Sequence, residues 1–135
     1  MLRHILLISL LLQIGCDYHP SNEFDDWNGT DSDFKNTFKL LVGEETNGSF
    51  LVEKNSGKIF SGEVNRTDSK WITNQTFTSG RLNGKSIKSS PDGSWVEAHY
   101  LDGQLDGKMI FYGADGKVKS VMNYKEGRLV IPTTQ

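Results

Sequence analysis

Few residues of this chain have the type and spacing that catalysis requires. Among 135 residues there are three histidines and one cysteine, and the last histidine, His99, lies near Glu97 and Asp102. A histidine beside a carboxylate can act as a general base, so a hydrolase built on His99 is one hypothesis. A lone histidine in a strand is more often a surface or packing residue, and no cysteine follows Cys16. We therefore expect no enzyme active site.

The carboxylates are arranged as turn residues and not as a metal site. Asp92 and Asp115 stand 23 residues apart, each before a glycine, where turn geometry alone favours aspartate. The acidic run from Asp26 to Asp33 has the alternating oxygens of a calcium loop. It lacks the central glycine and the closing glutamate that such loops need, so a solvated linker is the better interpretation. The sequence predicts neither a metal nor a cofactor.

The elements that would position these residues belong to a repeat. The pattern aromatic-x-x-Gly-x-Leu-x-Gly-Lys begins at Phe77 and returns at Tyr100. It begins a third time at Tyr124, where Ile131 replaces the second glycine. A step of 23 or 24 residues is too short for a helix pair and fits one β-hairpin per unit. One hairpin cannot bury its own apolar face, so the units are expected to stack.

Glycines mark the expected turns, and alternation sets the faces of the strands. Asn83-Gly84 and Asp92-Gly93 are dipeptides that accept the positive φ angles of tight turns. The aromatic and the leucine of the pattern are expected to form a ladder between units. Val96 and Tyr100 should face the side of the strand opposite to Trp95. The glycines that define the turns of the repeat are Gly80, Gly84, Gly93, Gly103, Gly107, Gly116 and Gly127.

This pattern, followed by a strand and an Asp-Gly or Asn-Gly turn, resembles the bacterial variant of the MORN repeat. The resemblance covers residues 57 to 129 and is clearest from Phe77 to Leu129. Two departures are Phe77, where the family usually has tyrosine, and Ser89, where the second copy has Tyr112. The resemblance implies a succession of short hairpins. Some members are catalogued as antitoxin-like, which implies a neutralising partner of a toxin or effector as an alternative function.

The first sixteen residues have the layout of a secretory signal. A short basic start precedes an apolar run from Ile5 to Leu12, which is too short to span a bilayer permanently. Gly15 before Cys16 resembles a bacterial lipoprotein box, with Gln13 where leucine is usual. We predict a signal peptide over residues 1–15 and acylation, including palmitate, of Cys16, which would hold the protein at a membrane. The alternative is an ordinary cleaved signal with an incidental cysteine.

The next segment, residues 16–36, has the composition of a flexible tether. It holds six acidic residues against Lys35 as the one base. High net charge and little apolar surface are typical of disorder. The globular domain is expected to occupy residues 37–132 as an antiparallel meander of stacked β-hairpin repeats, with no helix beyond the signal. An immunoglobulin-like sandwich is the alternative, and the N-terminal strands are expected to cap the array.

The remaining candidate site is a surface. Trp71, Trp95, His99 and Tyr112 are the candidate binding surface, an exposed aromatic strip for contact with a protein or a glycan. The alternative, which the sequence favours, is that the N-terminal strands cover this face and the aromatics are core. The sequence thus favours a lipid-anchored, non-catalytic binding or scaffold module of the bacterial cell envelope. We expect it on the periplasmic or extracellular side of the cell membrane or outer membrane, with a protein partner and no nucleic acid.

Overall fold

A computed structural model of the protein describes residues 25–43 and 48–131. Eight described strands form one sheet in the order β1-β4-β5-β6-β7-β8-β9-β10, and β2 pairs with β3 in a second sheet. All pairs are antiparallel except β1 with β4. The elements are β1 Trp27–Thr30, α1 Asp31–Thr37, β2 Phe38–Val42, β3 Ser49–Glu53, β4 Gly62–Thr67, β5 Ile72–Thr78, β6 Arg81–Ser89, β7 Trp95–Leu101, β8 Gln104–Tyr112, β9 Val118–Lys125 and β10 Arg128–Leu129. The all-β fold of successive antiparallel hairpins is confirmed.

Two kinds of turn alternate along the large sheet. The tight turns have two residues, both with positive φ, as in Ser79 (49°) and Gly80 (76°). Asp102-Gly103 and Glu126-Gly127 repeat this geometry, which matches the twist of a hairpin and needs glycine at the second place. The wider turns are closed by aspartate side chains. In these, Asp92 accepts a hydrogen bond from the backbone N–H of Ser94 at 2.8 Å, and Asp115 accepts one from Lys117 at 3.1 Å.

The second glycine of the repeat does not form a turn, and the prediction that Asn83-Gly84 is one was wrong. Gly84 lies inside β6 and Gly107 lies inside β8, with φ of 96° and 112°. Each is next to a shift of register between the two strands of its own hairpin. Such a bulge places extra residues on one strand, and glycine accepts the positive φ that results.

The aromatics and leucines of the repeat are paired as the rungs of a ladder, but each rung joins two residues of one copy and not of two units as predicted. The aromatic of each copy lies directly opposite the leucine of the same copy, in the pairs Phe77–Leu82, Tyr100–Leu105 and Tyr124–Leu129. Across the other edge, Tyr100 lies opposite Gly84, and Tyr124 lies opposite Gly107. A glycine opposite an aromatic leaves room for the ring to cover the backbone. The same aromatic–glycine pairing occurs at both junctions between copies.

The large sheet has a covered inner face and an open outer face. We call inner the face that carries Val64 and Phe77, and outer the face that carries Trp95. Val64 and Phe77 form one core cluster with Phe38, Leu51 and Phe60, which come from β2, β3 and the segment before β4. The cap, which we define as α1 with β2 and β3, therefore lies on the inner face. Burial of these side chains is the main stabilising term of the fold.

The segment from residue 25 to residue 36 belongs to the domain, so the predicted tether was wrong over this range. Its aromatic side chains pack into the cap, since Trp27 and Phe34 make an edge-on ring contact at 5.5 Å and each also contacts Phe38. Residues 16–24, which include Cys16, and the signal peptide over residues 1–15 lie outside the described residues.

The acidic side chains that favoured a tether stabilise α1 instead. Thr30 is the N-cap and forms a capping box with Asp33. The hydroxyl and backbone N–H of Thr30 lower the pKa of Asp33. Asp31 pairs with Lys35 at 2.7 Å and with Arg66 of β4 at 3.4 Å. No helix within the described ranges is long and apolar enough to cross a membrane.

Candidate functional site

The outer face carries a stacked pair of aromatic rings. Trp95 of β7 lies directly opposite Tyr112 of β8, and their ring centroids are 4.5 Å apart at an interplanar angle of 9°. Both side chains are half-buried. Because the cap covers the inner face, these rings are not core, and the alternative that the N-terminal strands cover them was wrong. The pair presents a rigid aromatic surface to the exterior.

Aliphatic side chains extend this surface across neighbouring strands. Ile87, Glu97, Ile110 and Val121 lie in one register row across β6 to β9. Val118 faces Tyr112 in the next row, and Val121 and Val118 are 46% and 53% exposed. Contiguous exposed apolar side chains of this kind are typical of interaction sites.

The one charged residue in this row is neutralised within the protein. Glu97 pairs with Lys85 at 3.1 Å and accepts a hydrogen bond from the Trp95 indole at 3.3 Å. The carboxylate thus fixes the orientation of the indole ring. This row therefore presents no unpaired carboxylate to a ligand.

The structure places the other two predicted surface residues apart from this pair. His99 is exposed on the outer face, two positions beyond Glu97 and beside Gly107 of β8. Trp71 precedes β5 and is not on this face. Its backbone N–H donates to Asp68 at 2.8 Å, and its ring lies 4.6 Å from the ammonium of Lys88, whose register position is on the inner face. The predicted strip therefore separates into two places, because Trp71 has the same parity as Thr73 and Phe77 of β5, which belong to the inner face.

The carboxylates near His99 are occupied by other partners. Asp102 binds Arg81 at 2.6 Å, and Glu97 binds Lys85 and Trp95. Neither carboxylate hydrogen-bonds to His99, so the geometry expected of a His99-based hydrolase is not present. Within residues 25–43 and 48–131, no group of three or more His, Cys, Asp or Glu residues could hold a metal ion.

The sequence-based site omitted the aliphatic part of the surface. Ile87 and Ile110 flank Glu97 on the adjacent strands and occupy equivalent places in the two copies of the repeat. Their equivalence in the repeat could have indicated that both lie on one face, since residues at equivalent places share a face. Nothing in the sequence indicated that Lys85 pairs with Glu97.

No family model matches the chain, and no similar protein was found among curated sequences or solved structures. The likeness to the bacterial MORN-repeat variant therefore rests on the repeat pattern alone.

Proposed function

We propose that this chain is a non-catalytic binding module of the bacterial cell envelope whose outer face holds a protein partner. The observation that carries the proposal is the stacked Trp95–Tyr112 pair on the open outer face, with the exposed Val118 and Val121 on the neighbouring strand. Rigid aromatic anchors surrounded by aliphatic side chains are characteristic of the centre of protein interfaces. The internal Lys85–Glu97 pair favours an apolar partner surface over a charged one.

The anchoring half of the proposal concerns Cys16. Acyl chains on this residue would hold the domain at a membrane, on the periplasmic or extracellular side, and two chains are needed for stable attachment. The segment between Cys16 and Trp27 would then separate the domain from the bilayer. The binding half does not depend on this attachment.

The binding half is tested by photo-crosslinking in the native host. A benzophenone amino acid at Ile110 lies next to the Trp95–Tyr112 pair and should give a discrete adduct with one protein. The double substitution W95A/Y112A should abolish that adduct. The matched control is Trp71→Ala, which removes the same side chain from the other part of the sheet and should leave the adduct unchanged. An adduct that survives W95A/Y112A would contradict the proposed interface.

The anchoring half is tested by the intact mass of the protein extracted from membranes of the native host. We expect a mature chain that begins at Cys16 and carries added acyl mass. A soluble, unmodified chain that begins elsewhere would refute anchoring and leave the crosslinking result to decide the binding half.

A further inference from the structure

A second candidate site lies on the inner face, beyond the edge of the cap. A cavity of about 200 Å³ opens there over strands β4 to β8. Its floor consists of small side chains, Thr73, Ser86 and Ala98, each more than nine-tenths buried. These three lie on adjacent strands with larger side chains on either side. The cavity exists because small residues interrupt the inner face at this point.

The floor carries two hydroxyl groups. Thr73 and Ser86 lie on adjacent strands, and both line the cavity. A hydroxyl can both donate and accept a hydrogen bond. The floor therefore offers two hydrogen-bonding groups to a polar ligand.

Positive charge lies on two sides of the cavity. Arg66 lines one wall, where its Nη2 donates to Gln75 at 3.1 Å while its buried Nε has no partner. Lys88 lines another wall and holds its ammonium over the Trp71 ring. Asp31 is 3.4 Å from Arg66 but does not line the cavity. With no acidic residue in the lining, the cavity favours an anion.

The remaining wall is apolar. Val96 and Met109 face Arg66 across the floor, together with the ring of Tyr100. Burial raises the pKa of Tyr100, so its hydroxyl stays protonated and able to donate at neutral pH. A ligand that fits both walls has a negatively charged end and a compact apolar body.

We propose that this cavity binds a small carboxylate with a compact apolar body, with the carboxylate toward Arg66, Lys88 and the hydroxyls of the floor. An apolar cavity of about 150 Å³ is large enough for benzene. The volume of about 200 Å³ therefore accommodates a benzene-sized body with its carboxylate. Either a free organic acid or the C-terminal residue of a peptide supplies this chemistry. The site uses none of the outer-face residues, so it is independent of the proposed protein interface.

The test is isothermal titration calorimetry of the full chain with benzoate at neutral pH. Benzamide has the same shape without the charge, and we expect it to bind at least about tenfold more weakly, because a charged acceptor makes the stronger hydrogen bonds. A tripeptide ending in phenylalanine, with a free or an amidated C-terminus, identifies the source of the carboxylate. Tighter binding of the free peptide than of benzoate assigns the site to a chain terminus, and the reverse assigns it to a free acid.

Variants confirm the location. Lys88→Gln changes an exposed side chain and should weaken benzoate binding by about tenfold. Ser86→Ala removes one floor hydroxyl and should weaken it by a factor of about three to ten. The matched control, Lys108→Gln, removes an exposed lysine from the outer side of β8 and should leave binding unchanged. Equal affinity for benzoate and benzamide, no binding of any probe, or insensitivity to Lys88→Gln overturns the proposal.

Discussion

Replacement of Phe60 by alanine should remove much of the packing that holds the cap to the large sheet. Phe60 is 2% exposed and lies between Phe38 of β2 and Phe77 of β5, at centroid distances of 5.0 and 6.1 Å. A buried Phe→Ala change costs roughly 3–5 kcal/mol. Each edge-on aromatic contact adds about 0.5–1.5 kcal/mol to simple burial, so the two lost contacts place this change in the upper part of the range. The total free energy of unfolding of a domain of this size is roughly 5–15 kcal/mol.

The assay is urea unfolding of the full chain, followed by tryptophan fluorescence. Phe60→Ala should lower the transition midpoint sharply, whereas Leu101→Ala, at a side chain that is 56% exposed, should cost less than about 1 kcal/mol. Phe60→Leu keeps much of the buried apolar volume but loses both ring contacts, so it should cost less than Phe60→Ala, and it provides a folded variant if alanine is not tolerated. If Phe60→Ala and Leu101→Ala cost the same, Phe60 does not join the cap to the sheet and our account of the core is wrong.

Two further predictions concern a turn and a carboxylate. Gly80→Ala should lower the free energy of unfolding at least twice as much as Gly57→Ala. Both glycines have positive φ, which costs an alanine about 1–2 kcal/mol of strain. Of the two, only Gly80 would also bring the new Cβ against backbone, 3.1 Å from Leu51. Equal costs in urea unfolding would exclude close approach as the reason for that glycine. The Lys125 hydrogen bond lowers the pKa of Asp106 below its ordinary 3.8, so the carboxylate stabilises the fold above that pH and loses its contribution as pH falls through the lower folded value. Asp106→Asn should therefore lower the melting temperature at neutral pH but make little difference at about pH 2, and an unchanged gap across that range would refute the linkage.

The hairpins could be predicted from the sequence because their signals are local. The steps between Phe77, Tyr100 and Tyr124 and the glycine that follows each aromatic fix the strand alternation and the tight turns. Alternation alone placed Trp95 on the face opposite to Val96 and Tyr100. None of these inferences required knowledge of which other strand lies nearby.

The errors arose where local composition and tertiary contacts disagree. The acidic composition around Asp31 indicated disorder, but the rings of Trp27 and Phe34 pack against Phe38. Average charge over a segment does not show the effect of two aromatic side chains. Asn83-Gly84 has the chemistry of a turn, and only the pairing of β5 with β6 shows that it forms a bulge instead. The inner-face cavity depends on the register of five strands, which sequence spacing does not specify.

The uneven cover of the inner face has a consequence for the order in which the sheet opens. Phe77, in the first rung of the ladder, is 7% exposed, whereas Leu129, in the last, is 50% exposed. Among the described strands, the last hairpin, β9 with β10, pairs with β8 and lies at the end of the sheet opposite to β1 and β4. Its amide protons should exchange with solvent through local fluctuations, while those of β4 and β5 exchange only on global unfolding. Insertion or deletion of one hairpin at this end of the sheet should therefore have little effect on the core.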